Sequence, residues 1–365
     1  MKKIYAVIIC ISIAAGFGFT KTGTLDNFKP SDSFVMGRAV KNSDGTVTLI
    51  ASASALFFQF KGSSCTVYLK NVADEDNYNY INIEIDGIYS GRRKVDGKNE
   101  KPFVIKAGNQ NARHKVVISK STEASNGTVI ITKVEAEHLM DYTPFFAGKI
   151  EFIGNSITCG FGNDLEIPCG NGSKWYDQHN AYWSYASRTA RALNMEFMIS
   201  AISGAGIYRN WNSDGPTVPE QYENTFLTTD SSNKWNFASF NPLIVTIALG
   251  TNDMSDGDGK QERLPFNKIK FIAAYKNFIK TIYAHYPAAQ LVLLNSPMVS
   301  GEKGKLLEES IVNIKSDINS ELKPPKPVKT FFFKPMTPSG CGFHPSIADH
   351  EVMANQLIPF IKTLL

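Results

Sequence analysis

The chain has 365 residues, of which 43% are hydrophobic and 20% are charged, a composition typical of an ordinary soluble globular protein. Its formal net charge of +4 is too small to indicate a nucleic-acid partner. The length predicts two domains.

The amino terminus has the pattern of a secretory signal peptide. Two lysines precede an apolar stretch from Ile4 to Ala15, and small residues follow it. This stretch is too short and wrongly flanked for a membrane-spanning helix. We therefore expect residues 1–20 to be a signal peptide, and the mature protein to be exported to a bacterial periplasm or beyond, with no membrane contact.

Residues 22–143 are predicted to form a β-sandwich of the jelly-roll type. Short stretches of alternating polarity, such as CTVYLKNV and HKVVISK, are separated by turn signals such as NSDG and DGKNE. Alternation that is broken by turns at regular intervals is typical of this architecture. The segment MDYTPFFAG then serves as a linker.

Residues 147–365 are predicted to form an α/β domain with a parallel sheet of about five strands. Apolar runs begin at residues 149, 196, 243, 290 and 328, and helical patterns such as FIAAYKNFIKTIYAHY lie between them. Strands that alternate with helices favour βα units. The segment GEKGK, which begins at residue 301, is expected to be an exposed loop.

Four motifs of this second domain contain residues that suit acyl transfer. Ser156 ends the run KIEFIGNS, and Gly204 and Asn252 follow later strands in ISGAG and GTND. His344 directly precedes the last predicted helix. A catalytic serine needs a base to take its proton and N–H donors for the oxyanion. Each motif alone is explained as well by an ordinary turn, but together they predict a serine esterase.

The order GNSIT, ISG, GTND and HP resembles the SGNH (GDSL-type) hydrolase superfamily across residues 149–365. The β-rich first domain followed by GNSITCGFG and SGAGIYRN is more closely similar to carbohydrate esterase family 2, whose members remove acetyl groups from plant polysaccharides. The resemblance implies that Ser156 is the nucleophile and His344 the general base. It also implies an oxyanion hole made by the Ser156 amide, the Gly204 amide and the Asn252 side chain.

One position departs from the superfamily pattern. Members commonly carry an aspartate three residues before the catalytic histidine, whereas this chain has Cys341 there. A thiol cannot stabilise an imidazolium as a carboxylate does. Because some esterases of family 2 use a Ser–His dyad, we predict a dyad here. Asp164, Asp177 and Asp349 are the alternatives that would supply a carboxylate.

Cysteines follow the predicted leader at positions 65, 159, 169 and 341, and they allow three complete pairings. Cys159 and Cys169 bracket a short loop directly after Ser156. We expect these two to form a disulfide that clamps one wall of the site; the alternative is four free, buried thiols. The sequence contains no CxxC motif or cluster of His and Cys, so neither a metal nor another cofactor is predicted.

Aromatic and amide side chains in two loops suggest a sugar site. Trp175 lies in the loop after Ser156, while Tyr208, Asn210 and Trp211 lie in the segment IYRNW. Aromatic faces stack on sugar rings and polar neighbours bond hydroxyl groups, although packing explains such residues about as well. We expect these four residues to bind an acetylated polysaccharide or oligosaccharide.

Together with the resemblance, these residues predict a secreted carbohydrate esterase that removes O-acetyl groups from xylan or glucomannan. We expect it to act without a cofactor and as a monomer. Two other classes stay open. A lipase or thioesterase on the same fold would need a broad apolar entrance, and a non-catalytic carbohydrate-binding protein would keep both domains without the chemistry.

Overall fold

The computed structural model describes residues 25–365 except Glu75, Asn171 and Gln261, so the predicted signal peptide lies outside the described residues. Up to Asp141 the described chain forms two antiparallel sheets, and from Lys149 onward it forms an α/β domain. Within the described range, no helix has both the length and the apolar character that crossing a bilayer requires.

The first domain is a sandwich of two antiparallel sheets. In the described residues its strands are β1 (Leu25–Phe28), β2 (Phe34–Met36), β3 (Ala39–Lys41), β4 (Val47–Leu49), β5 (Ala55–Lys61), β6 (Ser64–Val72), β7 (Asn79–Ile85), β8 (Ile88–Val95), β9 (Lys101–Lys106), β10 (Arg113–Lys120), β11 (Thr128–Glu137) and β12 (Met140–Asp141). One sheet has the order β3-β4-β11-β6-β9, with β1 also on β11, and the other has the order β12-β5-β10-β7-β8, with β2 on β5. The predicted sandwich is confirmed.

Alternate side chains of the two sheets fill the interior of the sandwich. Along β6, Cys65, Val67 and Leu69 are buried, whereas Ser64 and Lys70 are exposed. This is the period of two that a half-buried strand requires. Fully burying one aliphatic side chain of this size stabilises the fold by roughly 1.5–3 kcal/mol.

The sequence patterns do not predict β1, β8 or β12, and β12 occupies the first two residues of the segment expected to be the linker. In β8, which reads IYSGRRKV, Ile88 is exposed and Arg92 is buried, the reverse of the usual polarity. Arg92 is buried because its guanidinium donates to the backbone carbonyls of Asp177 (2.6 Å) and His179 (2.8 Å) in the second domain. Contact with the second domain, rather than alternation along the strand, therefore explains why Arg92 is buried.

The second domain contains the predicted parallel sheet of five strands, and its described strands have the order β14-β13-β15-β16-β17. They are β13 (Lys149–Gly154), β14 (Glu196–Ala201), β15 (Ile244–Ile247), β16 (Gln290–Leu294) and β17 (Lys329–Phe331). The α-helices described around this sheet are α1 (Ser156–Cys159), α2 (Tyr185–Ala192), α3 (Val218–Tyr222), α4 (Lys268–His285), α5 (Gly301–Glu321) and α6 (Ile347–Lys362). Neighbouring strands all pair in parallel, which confirms the predicted α/β sheet.

The expectation of an exposed loop at GEKGK is wrong, because these residues form the first turns of α5. The helix buries Leu307, Ile311, Ile314 and Ile318, which recur every three or four residues. That spacing places the four side chains on one face of the helix, against the core. The helix begins at Gly301, before the first of these apolar residues.

The parallel sheet brings the predicted motifs to one edge. Ser156 lies two residues after the end of β13, the Gly204 loop follows β14 and the Asn252 loop follows β15. Since the carboxyl ends of parallel strands share an edge, these three loops meet there.

Arg38 of the sandwich is fully buried against the second domain. Its guanidinium donates to the backbone carbonyls of Tyr222 and Asn224, each at 2.8 Å, and to Oγ of Ser200 at 3.3 Å. The Ser200 hydroxyl in turn donates to the carboxylate of Glu151 at 2.6 Å. A buried polar chain thus joins the sandwich to the centre of the parallel sheet.

We predict that Arg38→Met lowers the free energy of unfolding by about 3–5 kcal/mol, because it leaves the buried Glu151 carboxylate without its compensating charge. Urea unfolding, followed by tryptophan fluorescence, measures this change. The matched control is Arg113→Met, at an exposed position of β10, which should change stability by less than about 0.5 kcal/mol. Equal stability of R38M and wild type would contradict the prediction.

Candidate active site

The predicted nucleophile, Ser156, lies on a tight turn at the carboxyl end of the buried strand β13. The side chain of Asn155 caps α1 by accepting a hydrogen bond from the Ile157 N–H at 3.1 Å. Gly154 suits this turn, because a Cβ there would lie 2.1 Å from Oγ1 of Thr158. The turn presents Ser156 to a cavity at the sheet edge.

His344 lies within hydrogen-bond distance of Ser156, although 188 positions separate them in the chain. Nε2 of the imidazole is 2.8 Å from the Ser156 Oγ, and Nδ1 is 2.7 Å from the carbonyl oxygen of Gly342. A carbonyl oxygen can only accept, so Nδ1 carries the hydrogen and Nε2 is left to accept the serine hydroxyl. An imidazole in this tautomer can take the serine proton.

The surroundings of His344 favour the neutral imidazole. Burial lowers the pKa of His344 below its ordinary value of 6.5, while the hydrogen bond to the Gly342 carbonyl acts in the opposite direction. Phe161 covers the ring, with the two ring centroids 4.3 Å apart. These surroundings favour the uncharged imidazole, which is the form that can act as a base.

The aspartates considered as alternative partners of His344 bind other groups. Asp349 caps α6 by accepting the backbone N–H of Ser346 at 2.9 Å. The carboxylates of Asp164 and Asp177 bind side chains of the sandwich. A backbone carbonyl, rather than any of these three carboxylates, holds the Nδ1 side of the imidazole.

The groups predicted to form an oxyanion hole line the same cavity of about 940 Å³ as His344. Gly204 has a positive φ of 77°, and a Cβ there would lie 2.9 Å from Cδ1 of Trp211. The position therefore favours glycine over any residue with a side chain. Asn252 donates one side-chain N–H to the carbonyl of Ala205 at 2.7 Å. Its amide group has a second N–H, which is a donor for a ligand.

Asp253 organises the loop that follows Gly204. Its buried carboxylate accepts the backbone N–H groups of Ile207 and Tyr208, each at 3.0 Å, and of Arg209 at 3.3 Å. Burial raises the pKa of Asp253 to about 6, and the three backbone N–H groups oppose that rise. The carboxylate thus binds the backbone of the loop after Gly204, which forms one wall of the cavity.

Two residues expected to bind substrate belong instead to the framework of this loop. Tyr208 packs against Phe266, and its hydroxyl accepts the backbone N–H of Asn267 at 3.0 Å. Asn210 is buried and donates to the carbonyl of Pro216 at 3.0 Å. Neither residue is among those that line the cavity, because their polar atoms are used to hold the loop.

Aromatic side chains stand at the mouth of the cavity. The predicted pair, Trp175 and Trp211, line it and are 48% and 39% exposed. Phe161 stacks on Trp175 at a centroid distance of 5.9 Å. Phe343, which the sequence reasoning missed, is 86% exposed and lines the cavity beside His344. Its position in the FHP motif was the available signal.

The sandwich also reaches this cavity, which the sequence did not suggest. Glu123 and Ser125, from the connection between β10 and β11, are among its lining residues. No motif marks them, because their place depends on how the two domains pack.

The expected disulfide between Cys159 and Cys169 is wrong, since Cys169 is bonded to Cys341. The chain at Cys341 packs against the loop after Ser156, where its backbone N–H donates to the Gly162 carbonyl at 2.7 Å. Cys159 is a buried free thiol at the end of α1, and its Sγ donates to the carboxylate of Glu123 at 3.1 Å. Nearness along the chain was therefore misleading, and the disulfide ties the His344 loop to the Ser156 loop.

Two family models match the chain. The model described as "Carbohydrate esterase 2 N-terminal" matches residues 35–142, and the model described as "GDSL-like Lipase/Acylhydrolase family" matches residues 152–322. The first match covers most of the sandwich, and the second covers most of the α/β domain.

Similar proteins agree with these matches. The chain is 33% identical over 288 residues to Cellulase/esterase CelE of Acetivibrio thermocellus. The aligned region is 74% of this chain but only 34% of CelE. It is 26% identical over 348 residues to an acetylxylan esterase / glucomannan deacetylase of Cellvibrio japonicus, covering 92% of each. A solved family two carbohydrate esterase from Clostridium thermocellum, in complex with cellohexaose, is 30% identical with a TM-score of 0.80, covering 90% of this chain and 98% of that one.

We predict that replacing both Cys169 and Cys341 by serine lowers the free energy of unfolding by about 2–5 kcal/mol, because the bond closes a long loop of the chain. Thermal unfolding with and without a reductant measures this effect. Reductant should lower the Tm of wild type to that of the double variant and leave the double variant unchanged. A wild-type Tm that stays constant after thiol titration shows complete reduction would contradict the prediction.

Proposed function

The chain belongs to carbohydrate esterase family 2, a family of carboxylic ester hydrolases, and we propose that it removes O-acetyl groups from plant-type polysaccharides through Ser156 and His344. The observation that carries this proposal is the 2.8 Å contact between the Ser156 Oγ and Nε2 of His344, in a cavity that Gly204 and Asn252 also line. This arrangement matches the requirements of nucleophilic acyl transfer.

In the first step, His344 takes the proton of the Ser156 hydroxyl as Oγ attacks the acetyl carbonyl carbon. The carbonyl π electrons move to its oxygen, which becomes a tetrahedral oxyanion. The backbone N–H groups of Ser156 and Gly204 and the side-chain N–H of Asn252 stabilise that charge. The intermediate then collapses, the sugar oxygen leaves with the proton from His344, and acetyl-Ser156 remains.

In the second step, water replaces the sugar. His344 takes a proton from a water molecule as the water oxygen attacks the acetyl carbon, and the same N–H donors hold the oxyanion. Collapse of this intermediate releases acetate, and the proton returns from His344 to Oγ of Ser156. Serine and histidine end in their starting states, and the balance needs only water.

The imidazole works here as one half of a dyad. An imidazolium forms in both steps, and the Gly342 carbonyl is the group that accepts its Nδ1–H, at 2.7 Å. A neutral carbonyl stabilises this charge less than a carboxylate does. In this chain the orientation of the ring rests on that carbonyl and on contact with Phe161.

Sugar esters are the substrate class that fits the mouth of the cavity. Trp175, Trp211 and Phe343 offer partly exposed aromatic faces around it, which suit stacking on pyranose rings. The similar proteins are named as an acetylxylan esterase / glucomannan deacetylase and as an esterase in complex with cellohexaose. Acetylated xylan and glucomannan are therefore the substrates that we propose.

Export is the localisation that we propose. The first residues have the charge and apolar pattern of a secretory leader. The disulfide between Cys169 and Cys341 supports the same conclusion, because such bonds persist in oxidising compartments.

We predict that Ser156→Ala lowers kcat for acetate release by about 10⁴-fold or more, and that His344→Ala approaches the same loss, because each removes a reacting group. Asp349→Asn should keep most of the activity, since Asp349 caps α6 and does not bind the imidazole. The measurement is acetate release from acetylated xylan, acetylated glucomannan and an aryl acetate.

Wild-type turnover in the Ser156→Ala protein would refute this mechanism. A chain-length series of nitrophenyl esters separates the proposed enzyme from a lipase on the same fold. A rate maximum at acetate supports the sugar esterase, and a maximum at long acyl chains would refute it.

We predict that the acidic limb of the pH profile of kcat/KM has its midpoint below pH 6.5. The neutral form of His344 is the active one, and burial lowers its pKa, so activity is lost only as the pH falls through that lowered value. Initial rates on an aryl acetate from pH 4 to pH 8 measure the midpoint. Asp349→Asn serves as the control and should leave it in place, whereas a midpoint at or above 6.5 would contradict the prediction.

A further inference from the structure

Glu123 is a buried carboxylate from the sandwich that lies beside the proposed catalytic groups. It directly precedes a short 3-10 turn, Ala124–Asn126, in the connection between β10 and β11. Its exposed fraction is 1%, and it lines the same cavity as Ser156 and His344. Carboxylates are seldom buried to this degree without a specific partner.

One oxygen of this carboxylate joins two elements of the second domain. Oε2 accepts the backbone N–H of Ser203 at 2.8 Å and the thiol of Cys159 at 3.1 Å. Ser203 is the residue directly before Gly204, and Cys159 is the last residue of α1, which begins at Ser156. Glu123 thus contacts both segments that carry the backbone N–H groups of the oxyanion hole.

The backbone that carries Glu123 is itself held in place. The fully buried side chain of Lys120 donates to the carbonyl oxygens of Thr122 (3.1 Å) and Glu123 (2.6 Å). The carbonyl of Ser121 accepts the backbone N–H of Ala181 in the second domain at 3.0 Å. The segment that carries the carboxylate is therefore held by the Lys120 side chain and by a hydrogen bond to the second domain.

We propose that Glu123 is a positioning residue for the oxyanion hole, through which the sandwich takes part in catalysis. By accepting the Ser203 N–H, it holds the Ile202–Ser203 peptide, the unit directly before the one that carries the Gly204 N–H. By accepting the Cys159 thiol, it ties that segment to α1. The separation between the Ser156 and Gly204 amides then depends on a residue of the other domain. This inference rests on the proposed function.

The expected effect on catalysis follows from the geometry of an oxyanion hole. Donors must point at the place where negative charge develops, and loss of one donor costs about 10²–10³ in kcat. Misalignment of the Gly204 amide is a smaller change than its removal, so a loss of about 10–100-fold is expected when the acceptor is taken away. Substrate binding in the ground state should change little.

The test compares variants of equal side-chain length. Glu123→Met removes the acceptor, whereas Glu123→Gln keeps a carbonyl oxygen for the Ser203 N–H. Glu137→Met is the matched control, because Glu137 lies in the same domain with a side chain that is 44% exposed. Kinetics are measured with 4-nitrophenyl acetate and with its thionoacetate, in which sulfur replaces the carbonyl oxygen. Sulfur accepts hydrogen bonds weakly, so the oxo-ester to thiono-ester rate ratio reports on the oxyanion hole.

We expect E123M to lower kcat on the oxo ester by about 10–100-fold with little change in KM, and to lower the oxo-to-thiono ratio by a similar factor. E123Q and E137M should stay within about threefold of wild type in both quantities. A wild-type ratio in folded E123M would overturn the inference. So would a rise in KM for acetylated xylan with an unchanged ratio, since that result means direct contact with the sugar.

Circular dichroism and thermal unfolding establish that each variant is folded. If E123M does not fold, Glu123→Asp decides the case, because it keeps the charge but withdraws the acceptor by one methylene. The inference then requires a lowered ratio in E123D, and a wild-type ratio overturns it. Failure of the proposed function is a separate result: wild type would not cleave the aryl acetate, or Ser156→Ala would cleave it as fast as wild type.

Discussion

The contact between Oγ of Ser156 and Nε2 of His344 depends on the packing of two loops. The backbone N–H of Cys341 donates to the carbonyl of Gly162 at 2.7 Å, and a disulfide joins Cys341 to Cys169, farther along the same loop. Space here is so limited that a Cβ at Gly340 would lie 2.5 Å from the carbonyl oxygen of Gly162. The parallel sheet brings the Ser156 loop and the His344 loop to the same edge. The backbone contacts between the loops then hold the His344 imidazole within 2.8 Å of the Ser156 hydroxyl.

The sandwich is joined to the α/β domain by buried polar side chains that bind backbone groups. Arg38 binds two carbonyls, Arg92 binds two more, and Glu123 binds the N–H of Ser203. Burying such charges is costly unless they are well partnered, so these contacts favour one relative placement of the domains. The carbonyls bound by Arg92 belong to the loop after Ser156, and the N–H bound by Glu123 belongs to the loop after β14. The placement of the domains therefore also affects where these two loops lie.

The parallel strands could be predicted because buried βα units produce long apolar runs separated by helical periods. Most strands of the sandwich could be predicted because their polarity alternates along the local sequence. Strand β8 was not predicted, since it buries Arg92 while its apolar Ile88 is exposed. The start of α5 was missed because GEKGK has the composition of a loop, while the apolar face that stabilises this helix begins only at Leu307.

Local sequence identified the candidates for acyl transfer. Ser156 after its strand and His344 before its helix are recognisable because each lies in a motif of contiguous residues. Tertiary structure decided the rest. It paired Cys169 with Cys341 in a disulfide. It placed the polar atoms of Tyr208 and Asn210 in hydrogen bonds within the framework of the loop. It also brought Glu123 from the other domain to the site. Those outcomes depend on contacts between segments far apart in the chain, and spacing along a sequence carries no information about such distances.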